Sequence, residues 1–98
     1  MIPVEFHRLA ANELRAASHW YAKRSPETAV RFELAVEAAV MRIRTDPDAL
    51  PIERRHLRWV RVRRFPYRLI FEHREPQRLV VIAVAHASRR PGYWRRRT

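Results

Sequence analysis

The sequence contains no cysteine and a single glycine, Gly92, in 98 residues. Without cysteine the chain can form no disulfide. It also has no thiolate that could act as a nucleophile or bind a metal. One glycine is too few for a glycine-rich phosphate loop or for the glycine-flanked nucleophile turn of serine hydrolases. The histidines lack the spacing of metal ligands; they are His7, His19, His56, His73 and His86. We therefore expect neither a metal nor a cofactor.

Long apolar segments are also missing. The longest apolar run, Leu79–Ala85, has seven residues, whereas a membrane-spanning helix needs about 20. Residues 1–8 show no basic segment followed by an apolar stretch, so no secretory signal is evident. These absences predict a soluble, cytoplasmic protein that does not act in a membrane.

Positive charge is abundant but unevenly distributed. Residues 1–49 carry seven basic and seven acidic side chains, whereas residues 50–98 carry 14 arginines and three glutamates, which accounts for the formal net charge of +11. Twenty of the 21 basic residues are arginine, whose planar donors suit phosphate and carboxylate. The second half is thus expected to meet a polyanion or an acidic protein, although a GC-rich genome would produce the same arginine bias.

The first half of the chain has the periodicity of two helices. One helical face is formed by apolar residues spaced three and four apart, namely Ala10, Leu14, Ala17 and Tyr21. Ser25-Pro26 is typical of a new helix, because serine is a favoured N-cap and proline is tolerated at the first helical position. This second helix is expected to end before Pro47. Its apolar stripe consists of Ala29, Phe32, Val36, Val40 and Ile43.

The second half has the two-residue alternation of β-strands. Strands are predicted at Leu57–Arg63, Tyr67–His73 and Leu79–Ala85, with short turns between them. The last of these is nearly all apolar, as expected for a strand buried on both faces. Val4–Phe6 is a candidate first strand, and residues 46–56 are predicted to form a loop.

Together these elements predict one domain, residues 1–98, of the α+β class. Its parts are a helical hairpin at about residues 9–46, a β-meander at about 57–86 and a basic C-terminal tail at 87–98. The short N-terminal strand and the antiparallel helical hairpin would pack on one face of a mainly antiparallel sheet. The opposite face would remain half exposed.

An exposed strand face is the first candidate site. Trp59, Arg61 and Arg63 alternate along one strand, and an aromatic ring between arginines can stack a base while the guanidinium groups hold phosphates. The alternative is a solvated edge with Trp59 packed on a tail or a partner. Arg68 is interpreted either as a structural ion pair with Glu72 or as a fixed positive charge that stabilises a pentacovalent phosphate.

His86 and Tyr93 follow the last predicted strand. Acid–base cleavage of RNA needs one group to accept the 2′-hydroxyl proton and another to protonate the leaving oxygen. Histidine suits either task near neutral pH, whereas tyrosine is poor at both unless nearby arginines lower its pKa. The alternative is that His86 is an ordinary surface residue.

The chain resembles the RelE/ParE superfamily of bacterial type II toxins over almost its entire length. The segments that carry the resemblance are Trp20-Tyr21, Ser25-Pro26, Arg64–Phe71, Ile82–His86 and Arg90–Trp94. The last two are the most specific and are closest to the ParE-like branch. The resemblance implies a RelE/ParE-like two-layer fold and a toxin of a plasmid-stabilisation or growth-inhibition module.

The same resemblance implies a partner and a target. The partner would be a cognate antitoxin, acidic and of the ribbon-helix-helix type, in a toxin–antitoxin hetero-oligomer. RelE-like members cleave mRNA on the ribosome, which would make Arg61, Arg68 and Tyr93 catalytic. ParE-like members inhibit DNA gyrase and need no RNA-cleaving catalytic residues.

The resemblance favours the ParE-like function. Trp59 stands where the nuclease branch has a basic residue, a further basic position of that branch falls near Ala87, and the ending Pro91-Gly92-Tyr93-Trp94 is similar to the ParE-like branch. A non-toxic, basic nucleic-acid-binding module is a third alternative. The predicted target-binding residues are Trp59, Arg63, His86, Arg89, Arg90, Tyr93 and Trp94.

Overall fold

The computed structural model describes residues 2–74 and 76–98. Its elements are β1 (Val4–Phe6), α1 (Arg8–Arg24), α2 (Pro26–Thr45), β2 (Ile52–Arg54), β3 (Leu57–Val62), β4 (Tyr67–Arg74) and β5 (Arg78–His86), with short 3-10 turns at Pro47–Ala49 and Arg95–Arg97. The strands form one sheet in the order β1-β5-β4-β3-β2, in which only β1 is parallel to its neighbour. Both helices contact the sheet. The predicted α+β two-layer class is confirmed.

Ser25 ends one helix and begins the next. Its backbone N–H donates to the carbonyl of Tyr21 at 2.8 Å, which closes the last turn of α1. Its side-chain oxygen accepts from the Thr28 N–H at 3.2 Å, and Pro26 follows at the first position of α2. A single residue between two helices forces them to fold back on each other, so the predicted hairpin is confirmed.

The apolar stripes of both helices pack on the sheet. Ala10 and Ala17 of α1 are buried, and α2 contributes a continuous buried face made of Ala29, Phe32, Val36, Ala39 and Ile43. The prediction placed Val40 in this stripe, whereas Ala39 is the more buried residue. Trp20, which precedes Tyr21 near the end of α1, remains 49% exposed.

Strand β5 is the most buried element, as its sequence predicts: every residue from Leu79 to Ala85 is buried. β1 pairs only with residues 79–81 of β5. Ile70 pairs with Ala83 while Phe71 pairs with Val81, so Ile82 is the extra residue of a β-bulge. Within the described residues, no strand lies beside the outer edge of β5 from Ile82 onward.

The sheet face opposite the helices carries a second, smaller apolar cluster. Trp94 from the C-terminal segment is 3% exposed and packs there against residues of β4 and β5. The expectation of a half-exposed face is therefore wrong for the centre of the sheet. The cluster consists of Leu57, Ile70, Val80, Ile82, Ala83, Ala85 and Trp94, with Trp59 and Tyr93 packed against it.

The segment predicted as a loop, residues 46–56, is partly ordered into β2. Ile52 pairs with Arg58, and the Trp59 N–H donates to the Pro51 carbonyl at 3.0 Å. The loop prediction is thus wrong over three residues, because so short a strand shows no alternation of its own and forms only against β3. Glu75, in the predicted turn between β4 and β5, lies outside the described residues.

Candidate functional site

The predicted site residues fall into two groups. Trp59, Arg61 and Arg68 lie on the sheet face away from the helices, where Arg61 and Arg68 are direct cross-strand partners. The Arg68 guanidinium lies 5.1 Å from the centre of the Trp59 ring. The second group follows β5 and consists of His86, Arg89, Arg90, Tyr93 and Trp94.

Arg68 forms an ion pair, but not with the predicted residue. Its guanidinium donates to Glu53 of β2 at 2.8 Å. Glu72, the expected partner, contacts Arg74 and accepts from His56 at 2.6 Å. The prediction failed because β2, which brings Glu53 to this face, is invisible in the sequence. One of two opposed arginines is thereby neutralised.

Arg61 keeps its charge free for a ligand. Its side chain is exposed, and it joins no ion pair among the residues that the structure describes. The Glu53 carboxylate reduces the repulsion between Arg68 and the directly opposite Arg61, and Arg61 is left as the uncompensated cation of the pair. Trp59 beside them is half-buried rather than free.

Arg63 is separated from that face. β3 ends at Val62, so Arg63 lies in the β3–β4 turn and lines a pocket against α2. The sequence extended the strand to Arg63, and the two-residue alternation then placed its side chain beside Arg61. The turn redirects it, and the predicted row of three aligned side chains is reduced to Trp59 and Arg61.

A carboxylate that the sequence did not single out organises the C-terminal segment. Glu13 of α1 accepts two hydrogen bonds from the Arg97 guanidinium, at 2.9 and 3.0 Å, and one from the Tyr93 hydroxyl at 2.8 Å. It also accepts from the Val84 backbone N–H at 3.0 Å. Arg97 additionally donates to the Ile82 carbonyl at 3.1 Å. These side chains occupy the outer edge of β5 that no strand covers.

The network sets the protonation states of its members. Burial of the Glu13 carboxyl opposes ionisation, but hydrogen bonds from Arg97, the Val84 N–H and Tyr93 outweigh it and hold the pKa below its ordinary value. Burial, followed by the hydrogen bond to Glu13, raises the pKa of Tyr93 well above that of a free phenol. Arg89, 4.0 Å above the Tyr93 ring, and Arg97 act in the opposite direction but do not prevail.

The three residues of the nuclease set are therefore not brought together. The Tyr93 hydroxyl points to Glu13 at the outer edge of β5, whereas Arg61 lies on β3, two strands away. With strands about 4.8 Å apart, that separation is roughly 10 Å. The condition under which a tyrosine could serve as acid or base, a pKa lowered by nearby arginines, is not met, because burial and the hydrogen bond to Glu13 raise the pKa of Tyr93.

His86 lines a groove between α1 and the loop that follows β5. Its Nδ1 accepts from the Ser88 N–H at 2.9 Å, and its ring meets Tyr67 edge to face at 4.9 Å. An accepting Nδ1 leaves the imidazole proton on Nε2. The groove has a volume of about 580 Å³ and is lined mainly by Ala16, Ala17, Trp20, Tyr21, Tyr67 and His86.

Arg89 and Arg90, which precede the turn at Gly92, are exposed, as are Arg95 and Arg96 after it. Gly92 has a φ of +80°, and a Cβ atom there would lie 2.6 Å from Nε of Arg95. The glycine therefore permits the reversal that returns Tyr93 and Trp94 to the sheet. Trp94, which the sequence predicted as a target-binding residue, is only 3% exposed and belongs to the second apolar cluster.

Two further properties bear on function. Over residues 2–74 and 76–98, no group of three or more histidine, aspartate or glutamate side chains could hold a metal ion. No helix in that part of the chain is both long and apolar enough to cross a membrane. The polar and aromatic side chains that the site brings together are arginines, Trp59, Tyr93, His86 and the Glu13 carboxylate.

Comparisons with known proteins complete the description. The sequence model of a family described as "ParE toxin of type II toxin-antitoxin system, parDE" matches residues 4–91. A solved structure titled "Chromosomal ParDE TA system from P. aeruginosa" is similar in fold, with a TM-score of 0.65 and 20% sequence identity, over 90% of this chain and 98% of that one. Among curated proteins, none matches this chain.

Proposed function

The chain belongs to the ParE toxin family of type II toxin–antitoxin systems, and from that premise we propose that it inhibits growth by binding DNA gyrase and that a cognate antitoxin neutralises it. The observation that carries the choice of target is the state of Tyr93. Its hydroxyl is hydrogen-bonded to Glu13 and its pKa is raised, which supports a protein that acts by binding rather than by proton transfer.

The surface proposed to contact the target follows β5. Arg89 and Arg90 are exposed, and Arg89 stacks on Tyr93, which the Glu13 network holds in place. His86 lies beside them at the end of β5. Trp94 is assigned a positioning role here, because its buried side chain anchors the segment that carries the arginines.

The antitoxin is proposed to be an acidic protein with a ribbon-helix-helix portion, bound in a hetero-oligomer in the cytoplasm. The support is electrostatic. The chain has a net charge of +11. Among the described residues, five acidic side chains are already paired with neighbouring basic groups, namely Glu5, Glu13, Asp48, Glu53 and Glu72. An acidic segment would therefore be attracted at long range and would find many unpaired arginines on contact.

A second candidate is ribosome-dependent cleavage of mRNA. The observation that favours it is the opposed pair of Arg61 and Arg68 next to Trp59, a combination suited to a phosphate and a base. In this alternative the two arginines would stabilise the charge of the transition state without a tyrosine as acid or base.

The deciding experiment measures both activities with purified protein. We expect inhibition of supercoiling and accumulation of cleaved DNA in a gyrase assay, and intact mRNA in a cell-free translation reaction. Arg68→Ala should leave gyrase inhibition intact. mRNA cleavage by the wild type that disappears in Arg68→Ala would overturn the gyrase proposal in favour of the second candidate.

Expression in cells separates both proposals from a harmless nucleic-acid-binding protein. Induction without the neighbouring gene should arrest growth with filamentation and DNA breaks, and co-expression of that gene should restore growth. Normal growth on induction of the soluble, folded protein would leave only the non-toxic alternative.

A further inference from the structure

Unpaired positive charge is concentrated at one end of the sheet. β3 and β5 end there and β4 begins there, since Val62 pairs with Tyr67 and Tyr67 pairs with His86. Two pairs of consecutive, exposed arginines lie at this end, Arg63-Arg64 in the β3–β4 turn and Arg89-Arg90 after β5. Among the described residues, none of these four side chains takes part in an ion pair. The four residues form the arginine belt.

The opposite end of the sheet mixes both signs of charge. It lies where β3 begins, β4 ends and β5 begins, and four ion pairs are found there. These pairs are His56–Glu72, Arg74–Glu72, His73–Asp48 and Arg78–Glu5. The charge of the protein is therefore asymmetric along the direction of the strands. A one-sided field of this kind attracts a polyanion to the end that carries the arginine belt.

The hollows next to the arginine belt offer no free carboxylate. Among the described residues, the pocket that Arg63 and Arg64 line against α2 includes no acidic side chain. The groove that Arg89 lines includes one, Glu13, which already accepts hydrogen bonds from Arg97 and the Tyr93 hydroxyl. An anion that approaches the belt from either hollow is therefore not repelled by an unpaired carboxylate.

The two halves of the belt are held next to each other by the backbone. The Ala87 N–H donates to the Pro66 carbonyl at 2.8 Å, which joins the segment after β5 to the β3–β4 turn. The Arg89 guanidinium lies 4.0 Å from the centre of the Tyr93 ring, and the Tyr93 hydroxyl is bound to Glu13. Side chains that are ordered before a ligand binds lose less conformational entropy on binding.

The separation of the two halves matches a groove of duplex DNA. Only β4 lies between β3 and β5, so the ends of these two strands are roughly 10 Å apart at about 4.8 Å for each step across the sheet. The major groove of B-form DNA is about 12 Å wide. Arg63-Arg64 and Arg89-Arg90 can therefore contact phosphates on both sides of one groove, whereas a single strand or an extended peptide offers one line of charge.

Charge density also favours DNA over an acidic protein. Duplex DNA carries one negative charge for about every 1.7 Å of its axis. Even an unbroken run of acidic residues in an extended polypeptide carries one for about every 3.3 Å. In addition, all four belt residues are arginines, whose planar guanidinium groups bind phosphate oxygens through two parallel hydrogen bonds.

We propose that the arginine belt binds the phosphate backbone of duplex DNA, an inference that rests on the proposed function. DNA is the substrate of gyrase, so a toxin with this belt contacts the enzyme and its bound DNA together. The belt contacts phosphates rather than base edges, and its binding is therefore independent of the DNA sequence.

Two arginine pairs at opposite ends of β3 provide a matched test. Arg63-Arg64 and Arg54-Arg55 are exposed, and the second member of each has a positive φ, 71° for Arg64 and 53° for Arg55. Arg63→Gln with Arg64→Gln and Arg54→Gln with Arg55→Gln therefore remove equal charge at comparable backbone positions. The six residues of β3 lie between the two pairs. At about 3.3 Å for each residue the pairs are roughly 20 Å apart, well beyond the Debye length of about 8 Å at 0.15 M salt.

Fluorescence anisotropy with a labelled duplex of about 20 base pairs measures binding by the full chain over a series of salt concentrations. The logarithm of the association constant falls with the logarithm of the salt concentration by about 0.9 for each phosphate contacted, so four contacts give a slope of about −3.6. Arg63→Gln with Arg64→Gln should reduce the slope to about −1.8 and raise the Kd at least about tenfold. Arg54→Gln with Arg55→Gln should leave the slope nearly unchanged and raise the Kd less than about threefold.

The outcomes separate this inference from the proposed function. A wild-type protein that inhibits gyrase but does not bind the duplex, or equal losses of binding in the two double variants, would overturn only the DNA site. Single-stranded RNA or polyglutamate of equal length that binds as tightly as the duplex would also overturn it, because the arginines would then serve mRNA or an acidic protein. Duplex binding as expected, by a protein that leaves supercoiling unaffected, would overturn the proposed function alone.

Discussion

Tyr93 donates a hydrogen bond to Glu13 at 2.8 Å, between residues 80 positions apart in the sequence. The bond joins the C-terminal segment to the first helix. Because Arg97 binds the same carboxylate, the segment is fixed at two points on either side of the buried Trp94. The position of the exposed Arg89 and Arg90 therefore depends on Glu13, whose side chain is largely buried.

Glu13→Gln should lower the free energy of unfolding by about 2 kcal/mol. The Arg97 and Glu13 side chains are only 13% and 17% exposed, and removal of one member leaves the other charge largely desolvated. Urea denaturation measures the loss. Glu5→Gln is the control, since the Glu5–Arg78 pair is about half exposed and solvent screens it; equal losses in both variants would contradict the role of Glu13.

The contribution of Glu13 should depend on pH. Its pKa is lowered in the folded protein from an ordinary value of 4.5, so the unfolded chain binds the proton more readily. The stabilisation is complete above about pH 4.5 and is lost as the pH falls through the folded pKa. The stability difference between wild type and Glu13→Gln, followed from about pH 6 to about pH 3, should therefore shrink; a constant difference would be inconsistent with this.

Tyr93→Phe should keep its toxicity in cells. The variant retains the ring that packs under Arg89 and loses only the hydroxyl bond to Glu13, which is worth about 1 kcal/mol of stability. Growth after induction and thermal unfolding measure the two effects. A folded Tyr93→Phe protein without toxicity would show that the hydroxyl acts on the target directly.

Deletion of residues 92–98 should destabilise the domain. The deletion removes Trp94, which is 3% exposed in the second apolar cluster. Loss of a buried tryptophan costs about 3 kcal/mol or more. Thermal unfolding followed by circular dichroism tests this. An unchanged Tm in the truncated chain would show that Trp94 does not stabilise the core.

Charge reversal after β5 should separate target binding from antitoxin binding. Arg89→Glu with Arg90→Glu is expected to weaken gyrase inhibition at least about tenfold, because both side chains are exposed in the proposed contact surface. Antitoxin affinity should change little. The control, Arg8→Glu with Arg15→Glu on α1, alters the net charge equally; inhibition that falls as much in the control would indicate a general charge effect.

Local signals were sufficient to predict much of the fold. Ser25-Pro26 encodes its capping interaction within four residues, so both helices and their reversal could be read from the chain. The continuous apolar run of β5 likewise predicts burial on both faces. β2 could not be predicted, because three residues form a strand only when β3 supplies the hydrogen bonds.

The candidate site was less predictable, because its contacts depend on pairing between segments that are distant in the sequence. The pairing of Arg68 with Glu53 depends on β2, and the strand end at Val62 redirects Arg63. Glu13 gives no local signal, since an acidic residue at the margin of an amphipathic helix is usually solvated. The position of Glu13 between the buried Ala10 and Ala17 is the one feature of the sequence that could indicate its burial. Arg97 lies in a run of three arginines, and nothing in the sequence distinguishes it from Arg95 and Arg96.

The closed outer edge of β5 has a consequence for the protein when it is alone. An uncovered strand edge is a template on which further chains add and aggregate. At Val84 and Ile82 those backbone groups are already occupied by Glu13 and Arg97. A further strand therefore finds no free backbone group at these two positions, and loss of the Glu13 carboxylate would leave the Val84 N–H available to pair with another chain.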